Sequence, residues 1–106
     1  MLDGDRIAEL ARALGHPARV HIIQTLATQS ECSGSEIFSG LPLAQSTISE
    51  HLRVLKDAGL VHARPVGTGM VYCVEPGLLA EFAAAIGGIA ATTPSCSSAE
   101  KDGVCA

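Results

Sequence analysis

Three observations on this sequence predict a mainly α fold with one small β-hairpin, in the order of a winged helix-turn-helix. Ile7, Leu10, Ala11 and Leu14 recur at i, i+3, i+4 and i+7, one face of a helix, and Pro17 soon afterwards suits the first turn of a second. The stretch LAQSTISEHLRVLKDAGLV, Leu43 to Val61, has a polar front, an apolar stripe at Ile48, Leu52 and Leu55, and a glycine stop at Gly59. Leu60 to Arg64 and Met70 to Val74 then read as two strands joined by Pro65-Val66-Gly67-Thr68-Gly69, a hairpin with a longer loop.

Each element has its local reason. Asp3 or Asp5 caps the first helix, and Gly15-His16-Pro17 ends it. Val20, Ile23 and Leu26 carry the second helix inward. Ser33 or Ser35 suits the start of a short helix, with Glu36 near its positive end, and Gly40-Leu41-Pro42 closes it. The quoted helix and the hairpin follow. Pro76 breaks the strand pattern, and a last helix runs from about Gly77 to about Ala91, with Leu78, Leu79, Phe82, Ile86 and Ile89 on one side. From Thr92 the chain reads TTPSCSSAEKDGVCA, with no apolar period, as a flexible tail. The expected organisation is one domain over 1–91 and a cysteine-containing tail over 92–106.

A chain of 106 residues suits one small domain. Its aromatic residues are Phe38, Phe82 and Tyr72, so the core must be aliphatic. A formal charge of −4 argues against a general nucleic-acid coat protein but not against a DNA reader, because local charge decides. Gln45 to Thr68 is slightly basic, with Arg53, Lys56 and Arg64 against Glu50 and Asp57. The N-terminal residues carry acids and no apolar signal core. The longest apolar run, Leu78 to Ala91, is interrupted by Glu81 and is too short for a bilayer. The expectation is a cytoplasmic protein without membrane contact, whose four cysteines are free thiols or ligands rather than structural disulfides.

Two helices joined tightly and followed by a hairpin place the second helix in the DNA major groove, its front at base edges. Gln45, Ser46, Thr47 and Ser49 are short polar groups suited to bases and phosphates. Arg53 and Lys56 lie further along, where phosphates pass, and Arg64 and Thr68 belong to the wing. The competing reading makes the polar front a helix cap, with Ser46 as the capping residue. His51, beside Leu52, is either a helix-packing or a phosphate-contacting residue.

LGHPARVHIIQTLA (Leu14 to Ala27), LPLAQSTISEHLRVLKDAGLV (Leu41 to Val61) and GMVYCVEP (Gly69 to Pro76) resemble the ArsR/SmtB family of metal-responsive bacterial repressors. The resemblance covers about residues 5 to 90, and the run from Ser46 to Val61 is its most specific part. It implies a homodimer through the first and last helices, a palindromic double-stranded operator, and repression relieved when a metal or metalloid binds.

The sensing site moves around the fold in this family, so its ligands are read from this chain. Where some members carry C-x-C-x-x-C, this chain has only Cys32. The last helix offers Glu81 and no histidine, against the Asp, His and Glu of zinc sensors, and the quoted helix has no cysteine. Cys73 on the second hairpin strand, with Cys96 and Cys105 in the tail, remains as a soft donor set suited to a thiophilic ion. Trivalent arsenic, As(III), takes three thiolates, antimonite fits similarly, and a monomethylated arsenical needs two. Cys73 also reads as a small apolar strand residue, and Cys32 as a loop thiol. A redox switch through a Cys96–Cys105 disulfide, and a sensor of another thiophilic metal, stay open beside arsenic. No C-x-x-C pair and no glycine-rich phosphate loop is present, so no catalytic residue and no catalytic cofactor are assigned.

Overall fold

In the computed structural model, residues 2–28, 32–33, 37 and 39–95 are described. Helix α1 spans Gly4–Leu14, α2 Pro17–Ala27 and strand β1 Cys32–Ser33. Helix α3 spans Gln45–Asp57, strands β2 and β3 span Val61–Val66 and Gly69–Val74, and helix α4 spans Pro76–Thr92. Of the short helix expected ahead of Gly40, Ile37 and Ser39 have helical backbone, and the rest lies outside the described residues.

The helix ends follow local chemistry. Asp3 caps α1, its carboxylate accepting from the Arg6 N–H at 2.8 Å. Pro17 opens α2, where a missing N–H costs nothing, and His16 caps it by accepting from the Ala18 N–H. Helix α3 stops in a Schellman motif. Gly59 adopts φ +87°, the Gly59 N–H donates to the Lys56 carbonyl and the Leu60 N–H to the Leu55 carbonyl. The Arg6 side chain crosses from α1 and donates to the Ala58 carbonyl at 2.8 Å, tying the first helix to the end of α3.

The core is aliphatic, as the composition requires: Leu10, Ile22, Leu26, Ile37, Ile48, Leu55, Leu60 and Val61 are fully buried. Burying each such side chain contributes roughly 1.5–3 kcal/mol. Val20, expected to point inward, is 40% exposed, and Ile22 takes the inner position of α2 beside Ile23 and Leu26. Leu78, Leu79 and Phe82 lean on the core from α4. Further along, Ile86 and Ile89 of the same helix are exposed, and no residue of α4 is fully buried. Among the described residues, no helix is long and apolar enough to cross a membrane.

The hairpin is tighter than its sequence suggested. The strands continue through Pro65↔Met70 to Val66↔Gly69, leaving Gly67-Thr68 as a two-residue turn. Gly67 has φ +63°, which fits the type II′ turns that match strand twist. A third strand was not expected. Cys32 and Ser33 pair antiparallel with Tyr72 and Val71, giving a sheet of order β1-β3-β2. Cys32, read as a loop thiol, therefore belongs to a strand.

Candidate nucleic-acid interface and thiol residues

Helix α3 begins at Gln45, and its N-cap is Ala44, which has no side-chain oxygen and forms no capping bond. The reading of Ser46 as a cap is thereby corrected. Gln45, Ser46 and Thr47 are the first three helical residues, and with Ser49 they are exposed. Four polar side chains thus stand at the front of a helix whose rear face, Ile48, Leu52 and Leu55, is anchored in the core. Lys56 lies exposed at the far end of the helix, and Arg64 and Thr68 lie exposed on the wing.

Arg53 is exposed and engaged by its own helix. Its guanidinium pairs with Glu50, Nε donating to Oε2 at 3.2 Å and Nη2 to Oε1, and Nη1 reaches Asp57 at 3.4 Å. The hydrogen bonds from Arg53 hold the Glu50 carboxyl below its usual range.

His51 departs from its place among the DNA-contacting residues. It is 9% exposed, and its ring lies 4.4 Å from that of His16, tilted by 47°. Its Nδ1 lies 3.5 Å from Arg19 Nη1. The helix-packing reading is therefore the one the structure carries. Burial, first, and then the charges of His16 and Arg19 lower its pKa below the ordinary histidine value. Arg19 Nε is buried without a hydrogen-bond partner, so this polar cluster between α2 and α3 is incompletely satisfied. Sequence reasoning missed Arg19 and His16 as partners of His51. The sequence signal was a histidine before one helix and another within the next, which fixes no contact.

Cys73 is a half-buried free thiol on β3, opposite His62 in the strand register. The His62 ring nitrogen Nδ1 in turn contacts the Glu75 carboxylate. Cys32 is registered with Tyr72, one position away from Cys73. Cys96 and Cys105 lie outside the described residues. Among the described residues, no group of three His, Cys, Asp or Glu side chains is arranged to hold a metal ion. Cys73 alone of the three expected ligands is therefore placed.

A helix anchored on three apolar residues, with a polar uncapped front and a β-hairpin directly behind it, defines a winged helix-turn-helix. Residues 16–63 match the family model described as bacterial regulatory protein, arsR family. An HTH-type transcriptional regulator of Methanocaldococcus jannaschii is 39% identical over 70 residues, 66% of this chain and 79% of that protein. The chain belongs to the ArsR family of bacterial transcriptional regulators. Among solved structures, a homodimeric winged helix-turn-helix DNA-binding domain from Mycobacterium bovis is 30% identical, with TM-score 0.67, covering 81% of this chain and 79% of that one. A protein described as a possible transcriptional regulator for arsenical resistance is 32% identical, with TM-score 0.67, covering 74% and 80%.

Proposed function

We propose that the protein is a homodimeric repressor that holds a palindromic operator through α3 and releases it when As(III) binds Cys73, Cys96 and Cys105. The observation that carries the DNA half is the front of α3. Gln45, Ser46, Thr47 and Ser49 are exposed there and are not consumed as caps. Residues at this end of such a helix meet base edges in the major groove. Arg53, Lys56, Arg64 and Thr68 face the flanking phosphates, which set affinity and its salt dependence. The homodimer is supported by the M. bovis neighbour and by Ile86 and Ile89, which α4 leaves exposed. Dimerisation sets two α3 helices roughly 34 Å apart, one turn of DNA.

The sensing half rests on donor chemistry and on the position of Cys73. Arsenous acid condenses with three thiols, forming three As–S bonds and releasing three waters. Cys73 is the next-to-last residue of the wing strand and lies two residues before Glu75, the N-cap position of α4. Cys96 and Cys105 follow α4 in the chain, in the segment proposed as a sensing tail over 92–106. One ion bound by all three thiols links the wing to α4. A coupling of about 1–3 kcal/mol lowers operator affinity about 5- to 150-fold. The arsenical-resistance neighbour supports this choice of ion.

The test is operator binding under reducing conditions, with and without arsenite, for each Cys→Ser variant. Cys96→Ser and Cys105→Ser keep DNA binding and lose most of the response, and Cys32→Ser responds like the parent. A response to oxidant but not to arsenite favours a Cys96–Cys105 redox switch. A response to another thiophilic metal alone corrects the inducer.

A further inference from the structure

We propose that Glu50 reads a base: its carboxylate accepts from the exocyclic amine of a cytosine in each operator half-site, with Arg53 holding it in position. The proposal rests on α3 being the DNA-reading helix. Ile48, His51, Leu52 and Leu55 define the buried face of α3. At 3.6 residues per turn, Ser46, Glu50, Arg53 and Asp57 fall at i, i+4, i+7 and i+11, in one line opposite that face. A duplex lying against the face of α3 opposite the core meets this line, and Glu50 is its second member.

A carboxylate in that line is repelled by phosphates, so it is favourable only against a donor. The donors in the major groove are the amines of cytosine and adenine, and a carboxylate matches cytosine N4. The side chain is built for this. Arg53 holds both Glu50 oxygens in a fork, through Nε at 3.2 Å and through Nη2. A carboxylate offers about four acceptor directions, so about two stay open for the base. Asp57 draws the other side of the guanidinium at 3.4 Å and restrains it. The same hydrogen bonds from Arg53 hold the Glu50 carboxyl below its usual range. Stability does not account for the arrangement, because Glu50 and Arg53 are 57% and 61% exposed and exposed pairs of this kind contribute little. Two of the five guanidinium donors go to Glu50 and one to Asp57, which leaves Arg53 able to meet a phosphate as well.

The test selects binding sites from random duplex DNA with the full chain and with Glu50→Gln, Glu50→Ala and Ser46→Ala. The parent is expected to select one cytosine position in each half-site, discriminating about 5- to 150-fold there. Glu50→Gln should move that position alone towards adenine, whose N6 and N7 suit an amide, and Glu50→Ala should level it. The proposal is overturned if both Glu50 variants select the parental sites with parental discrimination. It is equally overturned if they bind all sequences more tightly by one common factor, since Glu50 then only repels DNA. If Ser46→Ala changes selection in those cases, the reading helix stands and Glu50 alone is misassigned. A parent that selects no sequence overturns both.

Discussion

Replacing Gly59 by alanine tests how the end of α3 is held. Gly59 has φ +87°, and a Cβ there would lie 3.2 Å from Arg6 Nη2 and 3.3 Å from Leu78 Cδ2. The left-handed backbone alone costs an alanine about 1–2 kcal/mol. Moving Arg6 also stretches its 2.8 Å bond to the Ala58 carbonyl. That bond is to a charged donor which keeps about a third of its exposure, so about 1 kcal/mol is a suitable discounted figure. Crowding of Leu78 adds to this, giving about 2–4 kcal/mol for Gly59→Ala. Gly67 is the internal control, because its φ is +63° and nothing lies within 4 Å of a Cβ there. Gly67→Ala should cost only the backbone part, about 1–2 kcal/mol. Urea denaturation of both variants at one protein concentration measures the difference, since concentration alone shifts the midpoint of an associating protein. Equal shifts for the two would refute the argument that Arg6 and Leu78 crowd the end of α3.

His51 makes stability sensitive to acid. Its folded pKa lies below the ordinary value of about 6.5, so the unfolded chain binds the proton more readily. The contribution is fully present above that value and is lost as pH falls towards the folded pKa. Thermal melts at pH 7.5 and pH 5.5 should therefore show a smaller acid loss in His51→Gln than in the parent, and an equal loss would remove His51 as the cause. Ile86→Glu combined with Ile89→Glu should give a monomer in sedimentation while α3 and the wing stay folded; a dimer that persists places the interface elsewhere. Asp3→Ala should lower stability by about 0.5–2 kcal/mol in chemical denaturation, the usual cost of a lost cap, and an unchanged midpoint would mean that the bond to the Arg6 N–H contributes nothing.

The parts of this fold that were legible in the sequence are those decided by neighbouring residues. Asp3, Pro17 and Gly59 mark helix ends because capping, a fixed φ and a left-handed turn are local requirements, and each sits where its stereochemistry placed it. Strand β1 was not legible. Two residues carry no period, and they form a strand only because β3 offers a second edge. Pro65 was read as part of a loop because proline interrupts most strands, yet β2 is an edge strand and tolerates it. The i, i+3 spacing that placed Val20 inside ignored Ile22, whose direction the packing against α3 decides. The two readings of His51 could not be separated because Arg19 lies 32 residues away in the chain. The front of α3 was legible as a polar surface, but its freedom from capping depended on the helix starting after Ala44.

The proline in the wing bears on how copies of this protein tolerate crowding. The two-residue turn closes on Val66 and Gly69, whose bond is the turn's own, so pairing alternates back along the strand from there. Pro65 then falls at a position whose nitrogen points away from β3, towards the edge of the sheet that no strand among the described residues covers. It has no N–H to offer there. An approaching strand meets a gap in the donor row close to the wing tip, and the sheet cannot be extended by a neighbour at that point. A missing donor at an edge strand disfavours pairing edge to edge with the wing of another copy. Restoring the donor with Pro65→Val would leave the hairpin paired and open that route to aggregation.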